Sequence, residues 1–135
     1  MHKKHGKISV IDLFSGPGGL GEGFSSYEKN GKHPFKIAIS IEKEESAHAT
    51  LTLRAFYRQF DRSDVPDNYY SFLQGKLGAS PEMGLYLTRS LKSQVMAAKL
   101  EARCLELGKD NIEIDRSINK ALKKKEISKL INVSF

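Results

Sequence analysis

The sequence predicts an α/β fold, a parallel sheet with flanking helices. Three observations predict it. Residues 8–14 form an apolar run of strand length. A glycine-dense turn, Ser15-Gly16-Pro17-Gly18-Gly19, follows, and Leu20 and Phe24 then repeat at helical spacing. A second strand-like run carries Ile37, Ile39 and Ile41 at alternate positions. Strand, turn, helix and strand in this order imply a right-handed parallel crossover.

The elements follow in order. Residues 1–7 read as a frayed basic tail. Residues 8–14 are the first strand, 15–19 the loop and about 20–29 the first helix. Asn30-Gly31 closes that helix, with Pro34 shortly after. Residues 35–41 are the second strand, ending at Glu42. A helix over about 44–60 places Glu44 and Glu45 in its first turn, which suits the helix dipole. Its apolar stripe is Ala47, Leu51, Ala55 and Phe56. Val65-Pro66-Asp67-Asn68 is turn chemistry, and Tyr69 begins a short helix. A longer helix is expected from residue 81 or 82 to 107, with Leu87, Leu91, Val95, Ala98, Ala102 and Leu105 in register and Gly108 at its end. Residues 61–108 therefore read as a helical insertion between the second and third strands, a lid, a partner surface or a cover for the sheet edge. Residues 111–114 read as the third strand, ended by Asp115. Residues 117–125 read as a helix and 130–135 as a fourth strand.

The 135 residues suffice for one domain with a core. No apolar run approaches the roughly 20 residues of a membrane helix. Residues 8–14 include Asp12 and lead straight into glycines, so a cytoplasmic strand is preferred to a secretion signal and no membrane partner is expected. Lysine and arginine number 22 against 16 aspartates and glutamates, a charge of +6 that permits nucleic-acid binding without requiring it. Lys120, Lys123, Lys124, Lys125 and Lys129 read as a solvated helix face or as a nucleic-acid contact. Cys104 is the single cysteine, so no disulfide framework exists; its helical neighbours suggest a buried structural thiol. The histidines, at 2, 5, 33 and 48, make no metal-ligand pair.

Function concentrates in the glycine turn. Glycines accept φ > 0 and let a ligand approach the backbone. The helix start beyond them offers free N–H groups to a carboxylate or phosphate. A P-loop is excluded, because Leu20-Gly21-Glu22 stands where Lys-Ser/Thr is required. Gly16, Gly18 and Gly21 fit the spacing of a dinucleotide fingerprint, and Glu42 lies about two dozen residues on, where such folds place an acid on the ribose. An NAD-dependent oxidoreductase is one reading; a capping or solvent-facing Glu42 is another.

A further reading uses more residues. Asp12-Leu13-Phe14-Ser15-Gly16-Pro17-Gly18-Gly19-Leu20 closely resembles the first motif of the DNA cytosine-5 methyltransferases. Ile39-Ser40-Ile41-Glu42 resembles the family's second motif, and Asp115 loosely resembles its third-motif acid. The resemblance implies a partial Rossmann-like, S-adenosylmethionine-dependent methyltransferase fold, of restriction–modification type. It implies S-adenosylmethionine held by Phe14, Ser15, Gly16, Pro17, Gly18, Gly19 and Leu20, with Glu42 on the ribose. Lys43 stands where the family often sets an apolar residue against adenine, and Asp115 would meet the adenine amino group.

The family's chemistry needs a Pro-Cys thiolate that attacks C6 of a flipped cytosine. None of the prolines, at 17, 34, 66 and 81, precedes a cysteine, so no catalytic residue is assigned. The expectation is an amino-terminal, cofactor-binding part: a truncated product, a subunit complemented by a second methyltransferase chain, or a non-catalytic remnant. DNA would be met through the carboxyl-terminal part that is missing here. A sheet ending at the fourth strand is also expected to self-associate through the cut near Val133 and Phe135.

Overall fold

A computed structural model of the chain describes residues 6–122 and 130–134. The expectations for the tail at 1–5, for Lys123, Lys124, Lys125 and Lys129, and for Phe135 lie outside these residues, as does that for the Val133 side chain.

Four parallel strands make the sheet, in the order β3-β2-β1-β4. They are β1 (Ile8–Leu13), β2 (Phe35–Glu42), β3 (Ala102–Cys104) and β4 (Leu130–Ser134). Between them run α1 (Gly19–Ser26), α2 (Glu45–Tyr57), α3 (Asp67–Leu73), α4 (Lys92–Glu101) and α5 (Asn111–Leu122). The α/β parallel sheet with flanking helices is the expected class, a partial Rossmann-like arrangement.

The central strand β1 is buried from both sides, which is why it reads as a continuous apolar run. Val10 and Ile37 pack beneath α1 through Phe24, whose ring meets Phe35 edge-on at 5.1 Å. Ile11, Ile39 and Ile41 pack on the opposite face against Ile114 and Leu122 of α5. Ile37, Ile39 and Ile41 alternate in the sequence, yet they do not share a face. They divide because Val10 pairs with Ile37 while Ile11 pairs with Ile39, so Ala38 is an extra residue in β2. One inserted residue turns the pleat over.

The helical insertion is redrawn. Instead of one helix over 81–107, three 3₁₀ turns (Pro81–Met83, Leu85–Leu87, Arg89–Leu91) precede α4, and the chain then becomes β3 at Ala102. The third strand thus falls inside the segment assigned to the insertion, and Cys104 sits on a strand. The apolar spacing misleads because a three-residue strand is too short to show its own period. Residues 111–114, expected to be that strand, are the start of α5. Ile112 is 79% exposed while Ile114 is buried; Ile114, Ile118 and Ala121 keep to the sheet side at helical spacing. The first helix also ends early, at Ser26. Asn30 (φ 52) and Gly31 (φ 73) form a two-residue turn between Lys29 and Lys32, whose backbone groups bond reciprocally at 2.8 and 3.0 Å. Consecutive positive φ angles are the reason Asn-Gly occurs there.

The second core joins α2 and α4 over Ala102, with Phe56 at its centre. Phe56 contacts Phe60, Tyr69 and Tyr86 at ring separations of 5.2, 6.4 and 5.7 Å. Truncation would leave a cavity that three rings cannot close together. Phe56→Ala is expected to cost about 3–5 kcal/mol of stability, read as a lower urea midpoint with an unchanged slope.

Candidate functional site

The order of connections locates the site. The link from β1 to β2 runs over one face through α1, and the link from β3 to β4 runs over the other through α5. β1 therefore has β2 on one side, reached through α1, and β4 on the other, reached by way of α5; open α/β sheets bind ligands beyond the carboxyl ends of the strands at such a reversal of strand order. The glycine loop lies at that point.

Its geometry follows from its residues. Phe14 leaves β1 at φ 60, an uncommon conformation for a bulky side chain, and stands 55% exposed. Ser15 is turned inward: its N–H donates to the Ile41 carbonyl at 2.9 Å and its Oγ to the Asp12 carbonyl at 2.8 Å. Gly16 follows at φ 55 and Gly18 at φ 95. A Cβ on Gly18 would come within 2.9 Å of Leu51 Cδ1, so the loop rests directly on α2. Gly18 caps α1 with no side-chain bond. The Glu22 N–H makes the first helical bond, to the Gly18 carbonyl at 3.0 Å. Among the described residues, the N–H groups of Gly19 and Leu20 have no acceptor. Leu20, expected to face inward with Phe24, is 40% exposed; Gly21 takes the inner position.

Glu42 is held against this loop. Its Oε2 accepts the Gly16 N–H at 2.6 Å and its Oε1 the Glu44 N–H at 3.0 Å. Partial burial pushes its carboxyl up, but the backbone N–H groups of Glu44, Gly16 and Lys43 and the Lys43 charge outweigh that and hold it below the ordinary value. Glu44 in turn caps α2, accepting from the N–H groups of Ser46 and Ala47 at 3.1 and 2.6 Å.

Other candidates are placed differently. Lys43 reaches sideways to Glu106, 3.7 Å away and mostly in water. Asp115 is not at the end of a strand. It lies on the exposed side of α5, which follows β3 by a loop, and the residues at the carboxyl end of β3 are Cys104, Leu105 and Glu106. Cys104, expected to be buried, is exposed, and its Sγ donates to the Lys43 carbonyl at 3.6 Å. Partial burial and then the charges of Glu45, Glu42, Glu44 and Asp110 raise its thiol, which disfavours the thiolate. Among the described residues no cluster of His, Cys, Asp and Glu could hold a metal, and no helix is long and apolar enough to cross a membrane.

Asp12, in the strand that leads to the loop, is not among the residues expected to hold a ligand. It is 2% exposed, its Oδ2 lacks a partner, and burial raises its carboxyl against the opposing Ser15 hydroxyl and Arg58 charge. A lone acid within an apolar strand was the available signal. The Arg58 cluster gave none. Its guanidinium joins Glu22 of α1 to Glu101 of α4, the latter at 2.7 Å, and Gln59 bonds Glu101 at 3.2 Å. Three helices on one face are tied at that point.

Over 65 residues the chain is 45% identical to a type II methyltransferase of Bacillus paralicheniformis. That relative is a methyltransferase. The match covers 48% of this chain and 13% of the relative, so the chain spans a small part of that protein's length. No family model matches the chain, and no solved structure matches it.

Because the folded state favours ionised Glu42, its bonds stabilise the protein above the unfolded-state pKa and are lost as pH falls through the lower folded value. Asp12 works the other way, its burial cost growing as pH rises through the carboxylate range. The difference between wild type and Glu42→Gln is therefore expected to shrink in acid, measured as urea midpoints between neutral and acidic pH. Gly18→Ala combines a positive φ with the Leu51 clash and is expected to cost about 1–3 kcal/mol, read by the same unfolding titration.

Proposed function

We propose that the chain is the S-adenosylmethionine-binding part of a DNA cytosine-5 methyltransferase of restriction–modification type. One observation carries the reading: the Phe14–Gly19 loop, in the residues that resemble the family's first motif, stands at the sheet's switch point with open donors and Glu42 against it. The similarity to a type II methyltransferase supports it.

The donor set suits the cofactor. The free N–H groups of Gly19 and Leu20, at the positive end of α1, would take the methionine carboxylate. Glu42 accepts backbone N–H groups on both oxygens, and its remaining lone pairs would take the ribose hydroxyls. Phe14, exposed beside the loop, would pack on the nucleoside. Gly16 and Gly19 leave open space where side chains would intrude. Glu106, ion-paired with Lys43 just beyond the end of β3, would take the place expected of Asp115 on the adenine side. Bound there, S-adenosylmethionine would supply an electrophilic methyl group.

No residue of this chain is proposed as the nucleophile. Cys104 follows Arg103, not proline, and partial burial and the neighbouring carboxylates push its thiol up, which disfavours the thiolate. The attacking thiolate and the DNA contacts belong, in this reading, to sequence beyond these residues or to a complementing methyltransferase subunit. The dinucleotide alternative keeps one point in its favour: Gly21 is buried on the sheet, as a fingerprint's last glycine would be. It does not use the exposed, left-handed Phe14.

Titration calorimetry separates the two. Heat is expected with S-adenosylmethionine and none with NAD. Glu42→Ala is expected to weaken binding by about 1.5–3 kcal/mol, the loss of hydrogen bonds to a charged group. The reverse preference would overturn the reading. Methyl transfer to cytosine-containing DNA by this chain alone is expected at the no-protein background.

A further inference from the structure

A cleft of about 920 Å³ lies at the opposite, amino-terminal ends of the strands, remote from the glycine loop. It opens because β3 is short. β3 pairs only with Ser40, Ile41 and Glu42, so among the described residues the lower part of β2, residues 35–39, has no neighbouring strand on that side. Lys36 and Ala38 line the cleft from this free edge, and Leu100, exposed on α4, gives it an apolar wall. An unpaired strand edge leaves backbone N–H and C=O groups available to another strand.

Charge selects what kind of strand. Of the acids in the cleft, Glu22 and Glu101 are engaged by Arg58, and Glu101 also feels Lys36. Arg103 is engaged by Glu113. Lys7, Lys36, Arg62 and Lys120 line the same cleft and are exposed; among the described residues they have no ion-pair partner, and Asp61 is the one acid of the lining left to oppose them.

We propose that this cleft docks an extended, acidic segment of another protein, which adds to the free edge of β2 as a short strand and sets its carboxylates against Lys7, Lys36, Arg62 and Lys120. Strand addition draws affinity from main-chain hydrogen bonds and specificity from alternate side chains. A five-residue edge spans about 17 Å, enough for one short segment. A second copy of this chain fits poorly, because its own Lys36 would face this one. Single-stranded nucleic acid fits poorly too. It offers no ladder groups, and the aromatic rings at the rim are already engaged, Phe60 on Phe56 and Tyr57 on Tyr69, both at 5.2 Å. The proposal is independent of the cofactor reading.

The test is fluorescence anisotropy at low ionic strength with the full chain and four labelled probes. These are a Glu-Val-Glu-Val-Glu peptide, the same peptide with alternate amides N-methylated, a Lys-Val-Lys-Val-Lys peptide and an oligo-thymidine. The acidic peptide is expected to bind at least about tenfold more tightly than each of the others. Arg62→Glu combined with Lys120→Glu is expected to weaken it by about tenfold or more, with the circular dichroism and urea midpoint unchanged. Equal binding of the N-methylated peptide would overturn strand addition. Preferential binding of oligo-thymidine, no binding of the acidic peptide, or full affinity in the folded double variant would overturn the proposal.

Discussion

The bond from the Gly16 N–H to Glu42 Oε2, 2.6 Å long, joins the loop after β1 to the last residue of the neighbouring β2. The rest of the site depends on it. For the N–H to point at Glu42, the chain must leave β1 in a left-handed turn, and Phe14 and Gly16 both take positive φ. Ser15, between them, anchors the turn to Ile41 and Asp12. The loop is thereby fixed by backbone groups and one carboxylate. Phe14 needs no partner to hold its conformation, so its ring is left outside. The arrangement concentrates strain where the surface is chemically richest, a common property of ligand-binding loops.

A second constraint is the reversal of winding. β1 feeds a helix on one face and β4 receives the chain from a helix on the other. Such a reversal of strand order is where open α/β sheets hold their ligands. The long excursion from α2 to α4 then loads one face of the sheet. Its polar tie is Arg58, whose two acids come from α1 and α4. A buried ion pair is weak as a source of stability, but it resists alternative packings because losing one partner strands the other. The same excursion delivers a very short β3, and the shortness leaves the lower edge of β2 free. The two ends of the sheet thus differ in kind: a strained, glycine-lined carboxyl end and a cationic, unpaired amino end.

Legibility in the sequence tracked the range of the interactions involved. β1, the turn and the start of α1 are legible because apolar run, glycines and helix spacing are contiguous. β2 is legible as a strand, but its facing is not. The extra residue at Ala38 depends on what β1 offers opposite, and no local pattern records it. β3 was hidden inside helical spacing because Ala98 and Ala102 are both buried for different reasons, one under a helix and one within the sheet. That error displaced the third strand to 111–114 and carried Asp115 with it. The alternation of Ile112 and Ile114 is an accident of composition, and the helix exposes one of them.

The sequence alone determined the α/β class, the position of the loop and the acid at the end of the second strand. Each rests on residues within one turn or one strand of each other, where backbone preferences and glycine freedom act directly. Tertiary structure alone decided which acid stands at the end of β3, that Asp12 is sealed without a full set of partners, and that Arg58 joins three helices. It also decided that, among the described residues, the lower part of one edge of β2 has no neighbouring strand. These depend on which distant segments meet, and a pairing across tens of residues is set by packing over the whole sheet, not by the residues that end up touching.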